Sequence, residues 1–150
     1  MPLLTADSTN IPSGTPDLKV LYDTLQQIDI IHQLIEASPT VLGFADSARS
    51  VRDVYKSGRI ASLIGIEGLH QMCGSASVLR QLYRLGVRYI TLCHDRNNQY
   101  VDSAVYSFVI KRPDCSLASL TNLQTDLSPR HLGLSPAGKD VVQEMQRLGM

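Results

Sequence analysis

The chain has 150 residues, 43% hydrophobic and 19% charged, which is enough apolar material for one packed domain and argues against global disorder. Its 14 Lys and Arg balance its 14 Asp and Glu, and with no net charge and no basic block, nucleic acid is not an expected partner. No apolar run reaches the roughly 20 residues that span a bilayer, and Met1 to Gly14 lacks the basic and apolar regions of a signal peptide, so no compartment is marked and the cytoplasm is the default.

Met1 to Pro16, rich in Thr, Ser, Pro and Gly, reads as an irregular lead-in. A helix is expected to start there, with Pro16 in its first turn and Asp17 complementing the helix dipole. Leu18, Leu21, Leu25, Ile28, Ile31 and Ile35 recur at three- and four-residue steps, predicting one apolar stripe down to about Ala37. A short strand follows over Thr40 to Phe44. A second helix is predicted from about Ser47 to Ser57, with Val51, Val54 and Tyr55 inward and Gly58 just past its end. Ile60 to Ile66 is nearly continuous in apolar character, as in a parallel strand covered on both faces. A third helix is predicted over Ser75 to Leu85, with Val78, Leu79, Leu82 and Tyr83 on its core face and Gly86 as its stop. Val87 to Cys93 reads as another buried strand. The last helix opens at Ser135-Pro136, an N-cap followed by proline, and carries Val141, Val142, Met145 and Leu148.

Helices alternating with short apolar strands predict an α/β fold with right-handed crossovers and about three parallel strands. Three such strands leave open sheet edges. The pattern therefore suits part of a larger α/β barrel, a fold of about 250 residues, better than a small open α/β domain.

In parallel α/β folds, chemistry gathers at the C-terminal ends of the strands. Glu67 follows Ile60 to Ile66 and His94 follows Val87 to Cys93, one helix and one strand apart, so both side chains are expected to face one site. A carboxylate can bridge cations, and an imidazole can ligate or donate to a developing oxyanion. The bland alternatives are a first-turn acid and a structural histidine held by hydrogen bonds. Glu67-Gly-Leu-His70 has E-x-x-H spacing, but Gly65 and Gly68 argue against the helix that would align the pair, leaving His70 in a loop. His32 lies within the first helix, and His131 sits in a loop with Pro and Arg. Cys93 and His94 point to opposite faces if they share a strand. Cys73, Cys93 and Cys115 are odd in number and lack C-x-x-C spacing, which predicts free thiols. Nucleotide-binding glycine motifs and a G-x-S-x-G elbow are absent.

The stretch from Ser57 to His70, with Ile64-Gly-Ile-Glu-Gly-Leu-His70 at its heart, resembles a signature of the membrane (renal) dipeptidase family, the M19-type zinc peptidases. So does Ser77 to His94, followed by Asn97 and Ala104; Asp23 to Asp29 and Gly133 to Gly138 also look like family segments, closest to fungal members. The resemblance implies a partial TIM (β/α) barrel of the metallo-dependent hydrolase type. It implies a hydrolase, a zinc metallopeptidase that cleaves dipeptides with two zinc ions and, in its full-length form, a homodimer. Glu67 would be the carboxylate that bridges the metals, and His94 would contact the substrate and stabilise the tetrahedral intermediate.

Two departures from the family pattern qualify this. The family's H-x-D pair of zinc ligands would fall before Met1, and two further zinc-binding histidines, a substrate-binding arginine and a catalytic aspartate would fall after Met150. Neither H-x-D nor H-x-H occurs in the chain, which is therefore expected to be an inactive internal fragment. Val105 to Arg130 is an atypical insertion where the family has a shorter link. It reads as a long surface loop or a translated intron, with an apolar run from Val105 to Ile110. The competing functional reading is a non-catalytic descendant, an α/β domain used for binding or interaction.

Overall fold

The structure, a computed structural model, describes residues 16–94, 97–104 and 129–150. The lead-in before Pro16 and nearly all of the expected insertion, including Phe108, Ile110 and Cys115, lie outside the described residues. In chain order the elements are α1 (Pro16–Ala37), β1 (Leu42–Phe44), α2 (Ala48–Lys56), β2 (Ile60–Ser62), β3 (Ile64–Glu67), a 3-10 turn (His70–Met72), α3 (Ala76–Arg84), β4 (Val87–Thr91) and α4 (Pro136–Leu148).

Local chemistry sets the boundaries. Ser47 caps α2 by accepting from the Ser50 N–H, while the Ser50 side chain accepts in return from the Ser47 N–H, a reciprocal capping box. Ser75 caps α3 through the Ser77 N–H, and Ser135 caps α4 through the Gly138 N–H, with Pro136 at the first turn. Gly149 closes α4 in the left-handed conformation, with φ 79°.

The described residues form two compact units, those within 1–65 and 70–88, and those within 66–69 and 89–150. In the first, β1 and β2 are parallel neighbours joined through α2, with Leu42 opposite Ile60 and Phe44 opposite Ser62. Gly43 is required at the centre of β1: a Cβ there would come within 2.7 Å of a Val54 methyl on α2. Ile28, Ile35, Val54, Leu79 and Leu82 are buried in this unit. Arg88 ties its parts together. The guanidinium lies 4.2 Å over the Tyr83 ring, donates to the Asp46 carbonyl at 2.8 Å and pairs with the Asp46 carboxylate at 3.4 Å. The Ser50 hydroxyl and Arg88 together hold the Asp46 carboxyl below its ordinary range.

The second unit is built around α4 and the loop 97–104. Val101 and Leu134 form an antiparallel bridge, and the Ser135 N–H donates to the Tyr100 carbonyl at 2.9 Å. Gly138, in the first turn of α4, packs so closely on the Tyr100 carbonyl that an added Cβ would overlap its oxygen. β3 and β4 are hydrogen-bonded neighbours in a second two-stranded sheet.

The elements depart from the sequence pattern at five points. Ile60 to Ile66 is two strands, not one. It breaks at Leu63, and β2 and β3 belong to different two-stranded sheets. Ile60 is 62% exposed, which departs from a strand covered on both faces. Tyr55 is 79% exposed, because the inward position on α2 is taken by Val54 against Gly43. The α1 stripe narrows to Ile28 and Ile35, with Leu18 and Leu25 exposed on its flank. β4 ends at Thr91, so Cys93 and His94 lie beyond the strand.

Candidate functional site

Glu67 is the last residue of β3, in a strand whose alternation buries Ile64 and Ile66 and turns Gly65 and Glu67 outward. Gly68 then reverses the chain at φ 89°, a conformation that glycine adopts without strain. Its N–H donates to Thr91 at both the carbonyl, 3.0 Å, and the hydroxyl, 2.8 Å. That bond sets the end of β3 beside the end of β4.

His94 is three residues beyond β4, and its Nε2 lies 3.4 Å from Glu67 Oε1. The structure thus brings together the two residues that the strand pattern singles out. Their side chains are 65% and 60% exposed, Glu67 first. A polar contact this exposed contributes only about 0–1 kcal/mol to stability, so the pair is not a staple of the fold. It presents a carboxylate and an imidazole to solvent at adjacent strand ends, where a ligand can meet both.

The other three histidines are placed elsewhere. His32 Nε2 is 3.0 Å from the Leu85 carbonyl, and its ring packs against Phe44 with centroids 5.1 Å apart. His70 opens the 3-10 turn rather than a loop, and its Nε2 is buried without a hydrogen-bond partner. His131 Nε2 is 3.1 Å from the Asn98 carbonyl. Cys93 is a free thiol, and the Cys73 thiol lies 3.8 Å from the Gln71 carbonyl. Among the described residues, no three His, Cys, Asp or Glu side chains converge where a metal ion would sit.

The segment that carries His94 is fastened by residues that the sequence pattern did not single out. Asn98 Nδ2 donates to the Leu92 carbonyl at 2.9 Å, and Asn98 Oδ1 accepts from the N–H groups of Tyr100 and Val101. Ser103 donates to the His94 carbonyl at 2.6 Å. The Asp102 carboxylate accepts from the N–H groups of Arg130 and His131, both at 2.9 Å, and of Gly133 at 3.3 Å. Burial alone would push the Asp102 carboxyl up, but these three donors and the nearby His131 hold it below the ordinary range. Arg130, at the edge of the expected insertion, is thus bonded to the loop 97–104. The cue in the sequence was a cluster of Asn, Asp and Ser, residues whose short side chains cap neighbouring backbone; periodicity does not register it.

Parallel β1 and β2 linked through a helix define an α/β protein, and Glu67 at the end of β3 and His94 beyond β4 place a carboxylate beside an imidazole. A family model described as membrane dipeptidase (peptidase family M19) matches residues 5–150. The chain belongs to that family.

Relatives agree. The chain is 50% identical over 130 residues to dipeptidase verJ of Clonostachys rogersoniana, covering 87% of this chain and 28% of the relative. It is 44% identical over 130 residues to dipeptidase tcpJ of Claviceps purpurea, covering 87% and 26%. It is 38% identical over 149 residues to an uncharacterized dipeptidase of Schizosaccharomyces pombe, covering 99% and 32%. The chain therefore spans about a third or less of the curated relatives it matches. Among solved structures, it resembles an amidohydrolase of Pseudomonas aeruginosa with a TM-score of 0.67 and 20% identity, over 86% of this chain and 33% of that one. It also resembles a probable dipeptidase, PvdM, of the same organism, with a TM-score of 0.62 and 23% identity, over 83% and 28%. At these identities the likeness speaks for the fold, which is a mixed α/β part of a TIM-type barrel. No described helix is long and apolar enough to cross a membrane.

Proposed function

We propose that this chain carries part of the active centre of a zinc dipeptidase, with Glu67 as the carboxylate that bridges the metals and His94 as the group that contacts the substrate. The observation behind this reading is the approach of Glu67 Oε1 to His94 Nε2, 3.4 Å apart and both exposed, at adjacent strand ends of a chain from a dipeptidase family. The donor set fits a share of a metal centre. Glu67 has exposed oxygens suited to a hard or borderline cation, whereas a catalytic zinc takes about three protein ligands. Two zinc ions, when bound, supply a hydroxide nucleophile at neutral pH and offset charge on the attacked carbonyl. The chain's own residues do the rest: Glu67 holds its carboxylate outward at the end of β3, and His94 can donate from Nε2 to an oxygen as it gains charge.

His32 and His131 are engaged with backbone carbonyls and His70 Nε2 is buried. We therefore infer that these residues alone do not hold two zinc ions, and that the chain by itself hydrolyses no dipeptide. The shortage of ligands also favours a second reading, a non-catalytic α/β domain used for binding.

A segment exchange tests the first reading. The part of the Clonostachys dipeptidase that aligns with this chain is replaced by it, and zinc content and dipeptide hydrolysis are measured. The chimera is expected to retain both. Glu67→Gln in the chimera should lose metal and activity together, since the charge goes while the size stays. His94→Ala should keep zinc and lower turnover by roughly 10²-fold or more, the usual scale for removing a group that stabilises developing charge. Full activity in either variant, or zinc loss in the His94 variant, rejects this division of roles.

A further inference from the structure

We infer that Ser103, backed by Asn97, is a positioning residue for His94: it sets the course of the backbone that carries the imidazole to Glu67. The inference rests on the reading of Glu67 and His94 as one site. β4 stops at Thr91, so Leu92, Cys93 and His94 lie outside the strand. Each of the three is instead tied to the loop 97–104. Asn98 Nδ2 donates to the Leu92 carbonyl at 2.9 Å, Cys93 Sγ lies 3.6 Å from the Asp102 carbonyl, and Ser103 Oγ donates to the His94 carbonyl at 2.6 Å. Bonds on three consecutive residues fix the direction of a segment as well as its place.

The last of these bonds is the shortest. Ser103 is 4% exposed, and its N–H donates at 2.7 Å to Oδ1 of Asn97, which is also buried. Burying a hydroxyl and a carboxamide is costly unless both are bonded. Here that bonding is spent on the chain that bears an exposed ring. The ring is 60% exposed, so the course of its backbone decides how near it can come to Glu67.

The test uses the whole chain with uniform isotope labelling and reads the His94 ring resonances by NMR at one fixed pH. In the parent chain, Glu67→Gln should displace those resonances, because the two groups are close. In a Ser103→Ala background the displacement should be lost, while the amide signals of β3 and β4 report an intact sheet. Ser103→Thr, which keeps the hydroxyl, should restore it. An equal displacement in Ser103→Ala and in the parent overturns the inference. The absence of any displacement in the parent overturns instead the pairing of Glu67 with His94, so the two failures are told apart. If Ser103→Ala costs the amide signals of α4, Asn97→Ala takes its place, removing the anchor of the Ser103 backbone but leaving the hydroxyl. Loss of the displacement then supports the inference, and its persistence overturns it.

Discussion

Asp102 performs in one side chain what a longer stretch of sheet would otherwise do. Its two oxygens gather the N–H groups of Arg130, His131 and Gly133, joining the loop 97–104 to the approach to α4. Asp102→Asn keeps one acceptor and turns the other into a donor facing an N–H. Hydrogen bonds to a charged group are worth about 1.5–3 kcal/mol when sheltered, and Asp102 is only half-buried. The variant should therefore lower the unfolding free energy by roughly 1–2 kcal/mol, read as a shift in the urea midpoint. The pH dependence follows from the same bonds. The native carboxyl titrates below the ordinary aspartate value of 3.8, so its contribution is complete above that pH and is lost as pH falls through the lower native value. The amide shifts of Arg130, His131 and Gly133 should hold steady from neutral pH down to about 3.8 and collapse below it; a transition well above that would contradict the latch. None of this was legible in the hydrophobic pattern, because Asp102 and Asn98 act on backbone groups more than on side chains.

Among the elements, the sequence was most informative where a boundary has a local cause. Ser47, Ser75 and Ser135 cap the helices whose starts were expected near them, and Gly149 stops α4. It was least informative along Ile60 to Ile66, where unbroken apolar character hides a change of partner at Leu63. A run of apolar residues records burial and says nothing of which strand lies alongside. The same limit placed the end of β4 at Cys93, when the sheet ends at Thr91 and side-chain bonds from the loop take over. Glu67 and His94 were legible because both lie at or just past the ends of apolar runs; the loop that carries His94 was not. Packing in the second unit gives a prediction at this scale. Gly138→Ala should destabilise the chain even though alanine is the better helix former by about 1 kcal/mol. The new methyl meets the Tyr100 carbonyl, a rigid backbone group that also accepts from the Ser135 N–H. Overpacking of this kind costs roughly 1–3 kcal/mol, so a lower thermal midpoint is expected, and an unchanged or higher one would show that the loop yields freely.

At the scale of the whole molecule, the α/β alternation read from periodicity agrees with the fold, and the family resemblance read from Ser57 to His94 agrees with the family match over residues 5–150. Periodicity alone did not reveal the division into two compact units, because both β3 and β4 pass from one unit to the other within a single strand. In the function proposed above, Glu67 and His94 are a share of a two-zinc centre that the four histidines of this chain do not complete. The most direct test is to load the purified chain with zinc, dialyse it against zinc-free buffer, and measure bound metal and then dipeptide hydrolysis on the same sample. No tightly held zinc and no turnover above buffer are expected. Two equivalents of zinc that survive dialysis, with hydrolysis abolished by a chelator, would contradict that proposal.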